Sequence, residues 1–152
     1  MLENDDGVFW NALVPELTVT DLEASLVFYA AAGFQIRYRR TSPAFAYIEQ
    51  GQAQLMLEQE HPGNWKTGVL QRPYGRGINF QIEVDSVHAV VERLRHIGTP
   101  LFREPAEAWY ASSPTSEEGQ IECLAQDPDG YLLRFIEVLG TRGVQPPEST
   151  GR

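Results

Sequence analysis

The stretch Gly77–Gly98, GINFQIEVDSVHAVVERLRHIG, decides the fold. Phe80, Ile82 and Val84 alternate with Gln81 and Glu83, the period of two expected for a strand with one buried face. At Asp85–Ser86 the period changes. Val87, Val90, Val91, Leu94 and Ile97 then fall at i, i+3, i+4, i+7 and i+10, one stripe of an amphipathic helix. Asp85 or Ser86 is placed to accept a hydrogen bond from an orphan N–H of the first turn, and Gly98 to end the helix in a left-handed conformation.

The same unit occurs earlier in the chain. Val19, Leu22, Leu26, Tyr29 and Gly33 match Val84, Val87, Val91, Leu94 and Gly98 at a constant offset of 65 positions, the mark of an internal duplication. The first copy opens with a strand over Ala12–Val19, with Pro15 near its start. Thr20 or Asp21 caps a helix that Gly33 stops. Strands Phe34–Arg39, Phe45–Glu49 and Ala53–Glu58 follow, separated by turns at Ser42–Pro43 and Gln50–Gly51. The second copy continues with strands Leu101–Arg103, Glu107–Ser112, Gln120–Gln126 and Tyr131–Val138. The last two are joined by the turn Asp127-Pro128-Asp129-Gly130.

Each half is therefore strand, helix and about three strands. The reading is an α+β fold of two βαβββ modules whose curved mixed sheets lie side by side around a cavity, one domain over 1–139. Module one covers about 11–58, a linker rich in turn residues 59–76, and module two about 77–139. Residues 1–10 are acidic and expected to be loosely held, and 140–152 to be a flexible, solvated tail.

Composition limits the function. Of 152 residues, 42% are hydrophobic and 22% charged, as in ordinary globular domains. Twelve basic and 21 acidic residues give a formal charge of −9, which argues against nucleic acid or an anionic membrane as partner and suits a cationic ligand. The single cysteine, Cys123, excludes an intrachain disulfide and a Cys-rich zinc site, and reads as a small buried hydrophobe. The N-terminus lacks the basic start and apolar run of a signal peptide, so a reduced cytoplasmic setting is the default expectation. A Gly-x-Ser-x-Gly elbow, a phosphate-cradling glycine loop and a Cys–His neighbourhood are all absent.

Val19-Thr20-Asp21, Phe28-Tyr29, Gly33-Phe34, Gly77-Ile78-Asn79-Phe80 and the run from Asp127-Pro128-Asp129-Gly130 to Phe135 occur in an order that resembles the vicinal oxygen chelate superfamily. Within it the chain looks most like the bleomycin-resistance, drug-binding branch. Enzymes of that superfamily hold a divalent ion with four side chains from the first and last strands of each module. Carried onto this chain, those positions are Val14, Asn79, Met56 and Arg134. Valine and methionine are not hard donors, arginine is a permanent cation, and Asn79 offers only an amide oxygen. A register error would bring Glu16, Glu58 or Glu137 forward instead, at the expense of turning the face. His61, His88 and His96 read as surface histidines.

The resemblance thus implies no metal, no cofactor and no catalysis. It implies sequestration of a cationic or planar, bleomycin-type glycopeptide by a homodimer, conferring resistance. Ligand contacts are expected from Tyr38, Phe45, Tyr47, Met56, Trp65, Asn79, Trp109, Tyr110 and Arg134, with Trp65 and Trp109 foremost because they stand among turn and polar residues. The alternatives are a metal-dependent lyase, dioxygenase or thiol transferase of the same superfamily, or a binder of another planar molecule.

Overall fold

The computed structural model of the chain describes residues 2–3 and 9–146. Expectations for the rest of the N-terminal ten residues and for 147–152 lie outside these. A short hairpin pairs β1 (Leu2–Glu3) with β2 (Phe9–Trp10). Module one follows as β3 (Glu16–Val19), α1 (Leu22–Ala31), β4 (Gln35–Thr41), β5 (Ala44–Gln50) and β6 (Ala53–Gln59). Module two is β7 (Asn79–Glu83), α2 (Val87–His96), β8 (Leu101–Ser113), β9 (Ser116–Gln126) and β10 (Leu132–Gly143). The sheets run β3-β6-β5-β4 and β7-β10-β9-β8, and in each the first strand lies parallel to the last strand of its module.

The helices begin and end where local chemistry dictates. Asp21 caps α1 by accepting from the amides of Glu23 and Ala24, and Ser86 caps α2 by accepting from Ala89. A second acceptor comes from the last strand of each module. Gln59 Oε1 takes the Leu22 amide and Glu137 Oε1 takes the Val87 amide, so the duplication extends to side-chain roles. Gly33 and Gly98 leave the helices at positive φ.

Leu17, Val19, Leu55, Leu57, Ile82, Val84, Leu133 and Phe135 point to the helix side of their sheets and join one buried core that draws on both modules. The two helices meet there, with Arg93 Nε donating to the Ala31 carbonyl at the α1 C-terminus (2.7 Å). The two modules, each with a mixed four-stranded sheet, are as the duplication implied. The sheets are separate hydrogen-bonded ladders and share one core on their helix-bearing faces.

Other expectations change in detail. The first strand begins only at Glu16, because Pro15 has no N–H to give the ladder; its carbonyl accepts from Met56 instead (2.9 Å). The stretch 101–113 is one strand rather than two, irregular in register between Arg103 and Ala106. The last strand runs through Gly143, into the expected tail. There Thr141 and Arg142 pair with Glu118 and Glu117 across the hairpin.

The modules are joined at the Asp127–Gly130 turn. Asp127 accepts from the amides of Asp129 and Tyr131 and from the Tyr29 hydroxyl of α1 (2.9 Å). Asp129, also buried, accepts from the Thr20 amide and hydroxyl, and Tyr131 donates its hydroxyl to the Thr18 carbonyl. Burial pushes the Asp127 carboxyl from 3.8 up to about 6, although its three donors pull the other way. A carboxyl raised on folding favours the folded state below its unfolded pKa, and that contribution is lost as pH rises through the folded value. Asp127→Asn should therefore gain stability relative to the parent between about pH 4 and about pH 6, by at most about 3 kcal/mol. Urea unfolding across that range checks it, and a difference that does not vary with pH contradicts it.

Candidate functional site on the helix-free faces

Strand periodicity turns Tyr38, Phe45, Tyr47, Met56, Glu16 and Glu58 to the helix-free face of the first sheet. The register pairs Tyr38 with Tyr47, Tyr47 with Met56, and Phe45 with Glu58. Tyr38 and Tyr47 stack with ring centroids 5.5 Å apart, and Tyr38 lies 5.7 Å from Phe45. Phe45 and Tyr47 are buried, yet neither joins the shared core, which takes Ala46 and Ile48 from the same strand.

What covers them could not be read from local pattern. Trp10 of β2 packs edge-on against Tyr47 at 4.9 Å, and Arg37 lies over Trp10 at 4.5 Å while pairing with Glu49. Arg40 sits 3.9 Å above the Phe45 ring. Aromatic pairs of this kind add about 0.5–1.5 kcal/mol each beyond their area, so the rings stabilise one another.

Beside the wall stands an acidic patch. Glu58 Oε1 accepts from Asn64 Nδ2 (2.6 Å) and is bonded to His61 Nε2 (2.7 Å). His61 Nδ1 accepts the Gly63 amide, so Nε2 carries the proton given to Glu58. His61 is thus a half-buried partner of a strand carboxylate and not the surface histidine expected; His88 and His96 are exposed. Glu16 has its carboxyl pKa raised, by burial first and then by the nearby Glu58 charge, with Arg40 opposing.

The second sheet offers a different surface. Tyr110 donates to Glu122 Oε1 (2.7 Å), Gln120 donates to Glu122 Oε2 (2.8 Å), and Arg134 lies 3.9 Å from that carboxylate. Asn79, exposed, begins β7 on this side opposite Leu132.

Trp65 and Trp109 are not brought together here. Trp65 is 94% exposed in the linker. Trp109 neighbours Tyr110 on a strand and so takes the opposite face, flat over Gly119 and 4.0 Å beneath Arg142. A Cβ on Gly119 would meet that indole at 2.5 Å, so Trp109 is a packing residue of the long hairpin. Tyr74 is buried against Tyr131.

Val14, Met56, Asn79 and Arg134 occupy the positions that the resemblance assigns to metal ligands. Val14 precedes β3, Met56 faces the aromatic wall, and Arg134 brings a fixed positive charge. No group of three or more His, Cys, Asp or Glu among the described residues is arranged to hold a metal ion. These residues do not fit the divalent ion of the superfamily's enzymes.

Fold, duplication and motifs agree with comparison to known proteins. The family model described as Glyoxalase/Bleomycin resistance protein/Dioxygenase superfamily matches residues 12–135. The chain belongs to this superfamily. A Haemophilus influenzae protein named lactoylglutathione lyase is 28% identical over 134 residues, spanning 83% of this chain and 91% of that protein. A hypothetical protein from S. aureus shares the fold with a TM-score of 0.64 at 22% identity, over 86% of this chain and 95% of that one. A glyoxalase/bleomycin resistance protein/dioxygenase from Alicyclobacillus acidocaldarius does so with a TM-score of 0.55 at 16% identity, over 85% and 92%. Among the described residues no helix is long and apolar enough to cross a membrane.

Replacing Glu58 by Gln removes one of the two causes that hold the Glu16 carboxyl up and leaves burial. The Glu16 pKa should fall in Glu58→Gln while staying above that of an exposed glutamate, measured by carboxyl-carbon NMR titration.

Proposed function

We propose that this member of the superfamily binds and sequesters a small molecule carrying a flat aromatic ring, without a metal ion and without turnover. The observation that carries the reading is the set Val14, Met56, Asn79 and Arg134, whose one hard donor is the neutral amide oxygen of Asn79. The wall of Trp10, Tyr38, Phe45 and Tyr47 supports a stacking mode, and Glu16 and Glu58 beside it favour a ligand with a cationic tail. A bleomycin-type glycopeptide is the first ligand to test, because the resemblance points to it. We also propose a homodimer. Tyr38 (38% exposed) and Tyr110 (47%) stand open on the helix-free faces of one chain, and a second copy would wall in a ligand that one face alone holds poorly.

The competing reading, a metal-dependent lyase, draws on the likeness to the Haemophilus influenzae protein. Elemental analysis separates the two. We expect no stoichiometric divalent ion in the purified protein and no change in melting temperature on dialysis against a chelator; one bound metal per chain would favour the lyase.

Titration with metal-free and copper-loaded bleomycin, followed by tryptophan fluorescence, tests the ligand. Saturable binding at micromolar levels is expected, weakened about tenfold in Tyr38→Ala and Tyr47→Ala and unchanged in Trp65→Ala. Absence of saturation, or equal affinity in all three variants, contradicts the assignment.

A further inference from the structure

On the second sheet the register sets Gln81, Arg134, Leu124 and Arg103 in one row across four strands, all on the helix-free face. Arg134 and Arg103 flank Leu124 at two strand spacings, about 10 Å between backbones, within which two long side chains can converge. Arg134 has the Tyr110 hydroxyl and the Glu122 carboxylate beside it, and its Nε has no partner. Arg103 is exposed and enters no ion pair among the described residues.

Arg134 Nε is sealed from solvent with no hydrogen-bond partner, while its side chain as a whole stays 31% exposed. Its one acidic neighbour within ion-pair range is Glu122, and that contact is long at 3.9 Å because Tyr110 and Gln120 already occupy both Glu122 oxygens. A half-buried cation whose carboxylate is engaged elsewhere calls for another acceptor.

We infer that Arg134 and Arg103 form a binding site for the carboxylate of an aromatic acid, with Leu124 as the apolar floor between them. The fork of a guanidinium matches the two oxygens of a carboxylate, and an apolar floor suits the ring attached to it. Arg134 thus supplies, at the position matched to a metal ligand, a fixed positive charge that needs no ion. The inference rests on reading the helix-free faces as the ligand surface, and it adds an anionic group to what that surface recognises.

The probes are 2-naphthoate and its neutral amide, 2-naphthamide, titrated into the full chain. Ring fluorescence gives affinity, and the arginine Nε–H resonances in proton–nitrogen spectra give location. Arg134→Lys assigns the Arg134 signal.

Naphthoate should bind about ten- to a hundredfold more tightly than naphthamide and shift the Arg134 resonance. Arg134→Met and Arg103→Met should each remove most of that preference, whereas Arg95→Met on α2 should keep it. Equal affinity for the two probes, no naphthoate binding at millimolar levels, or an unmoved Arg134 resonance overturns the site, and the first two need no variant. Bleomycin binding without a carboxylate preference overturns this site and leaves the function above standing. A carboxylate preference without bleomycin binding leaves this site standing and overturns bleomycin as the ligand.

Discussion

Asp127 stands where the last turn of module two meets the helix of module one, and the arrangement of the molecule follows from how that carboxylate is satisfied. Two amides of its own turn and the hydroxyl of Tyr29 reach it, while Asp129 one step away takes both donors of Thr20. A buried carboxyl without such donors would be expensive to keep, so the turn is held to α1 and the two modules are fixed relative to each other. The shared core follows. With the turn clamped to the helix side of module one, the apolar faces of both sheets close on α1 and α2.

Packing the helix-bearing faces together has a consequence for function. The other face of each sheet stays open, and its side chains are free of the requirement to be apolar. The first sheet uses that freedom for stacked aromatics and two glutamates, the second for a tyrosine, a glutamate and two arginines. Both surfaces therefore mix carboxylates and guanidiniums around aromatic rings.

Much of this was legible in the residues. The offset of 65 positions identified the duplication. Phe45 and Tyr47 gave the aromatic strand. The role of Trp10 was not legible locally, because its partners, Tyr38 and Tyr47, lie about thirty residues away, beyond any local period. The packing of Trp109 was equally hidden: its indole lies over cross-strand Gly119, a contact between strands that no local period carries.

By itself the sequence determined the α+β class, the two βαβββ modules, the caps and stops of both helices, and the chemistry missing at Val14, Met56, Asn79 and Arg134. Each of these rests on local period or on residue type, which sequence carries directly. Only the tertiary structure decided that both modules share one core, that Trp10 and Arg37 complete the aromatic wall, and that Arg134 and Arg103 share a row. Those depend on strand register and on contacts between distant residues, where one turn clamped by Tyr29 and Thr20 outweighs every short-range preference.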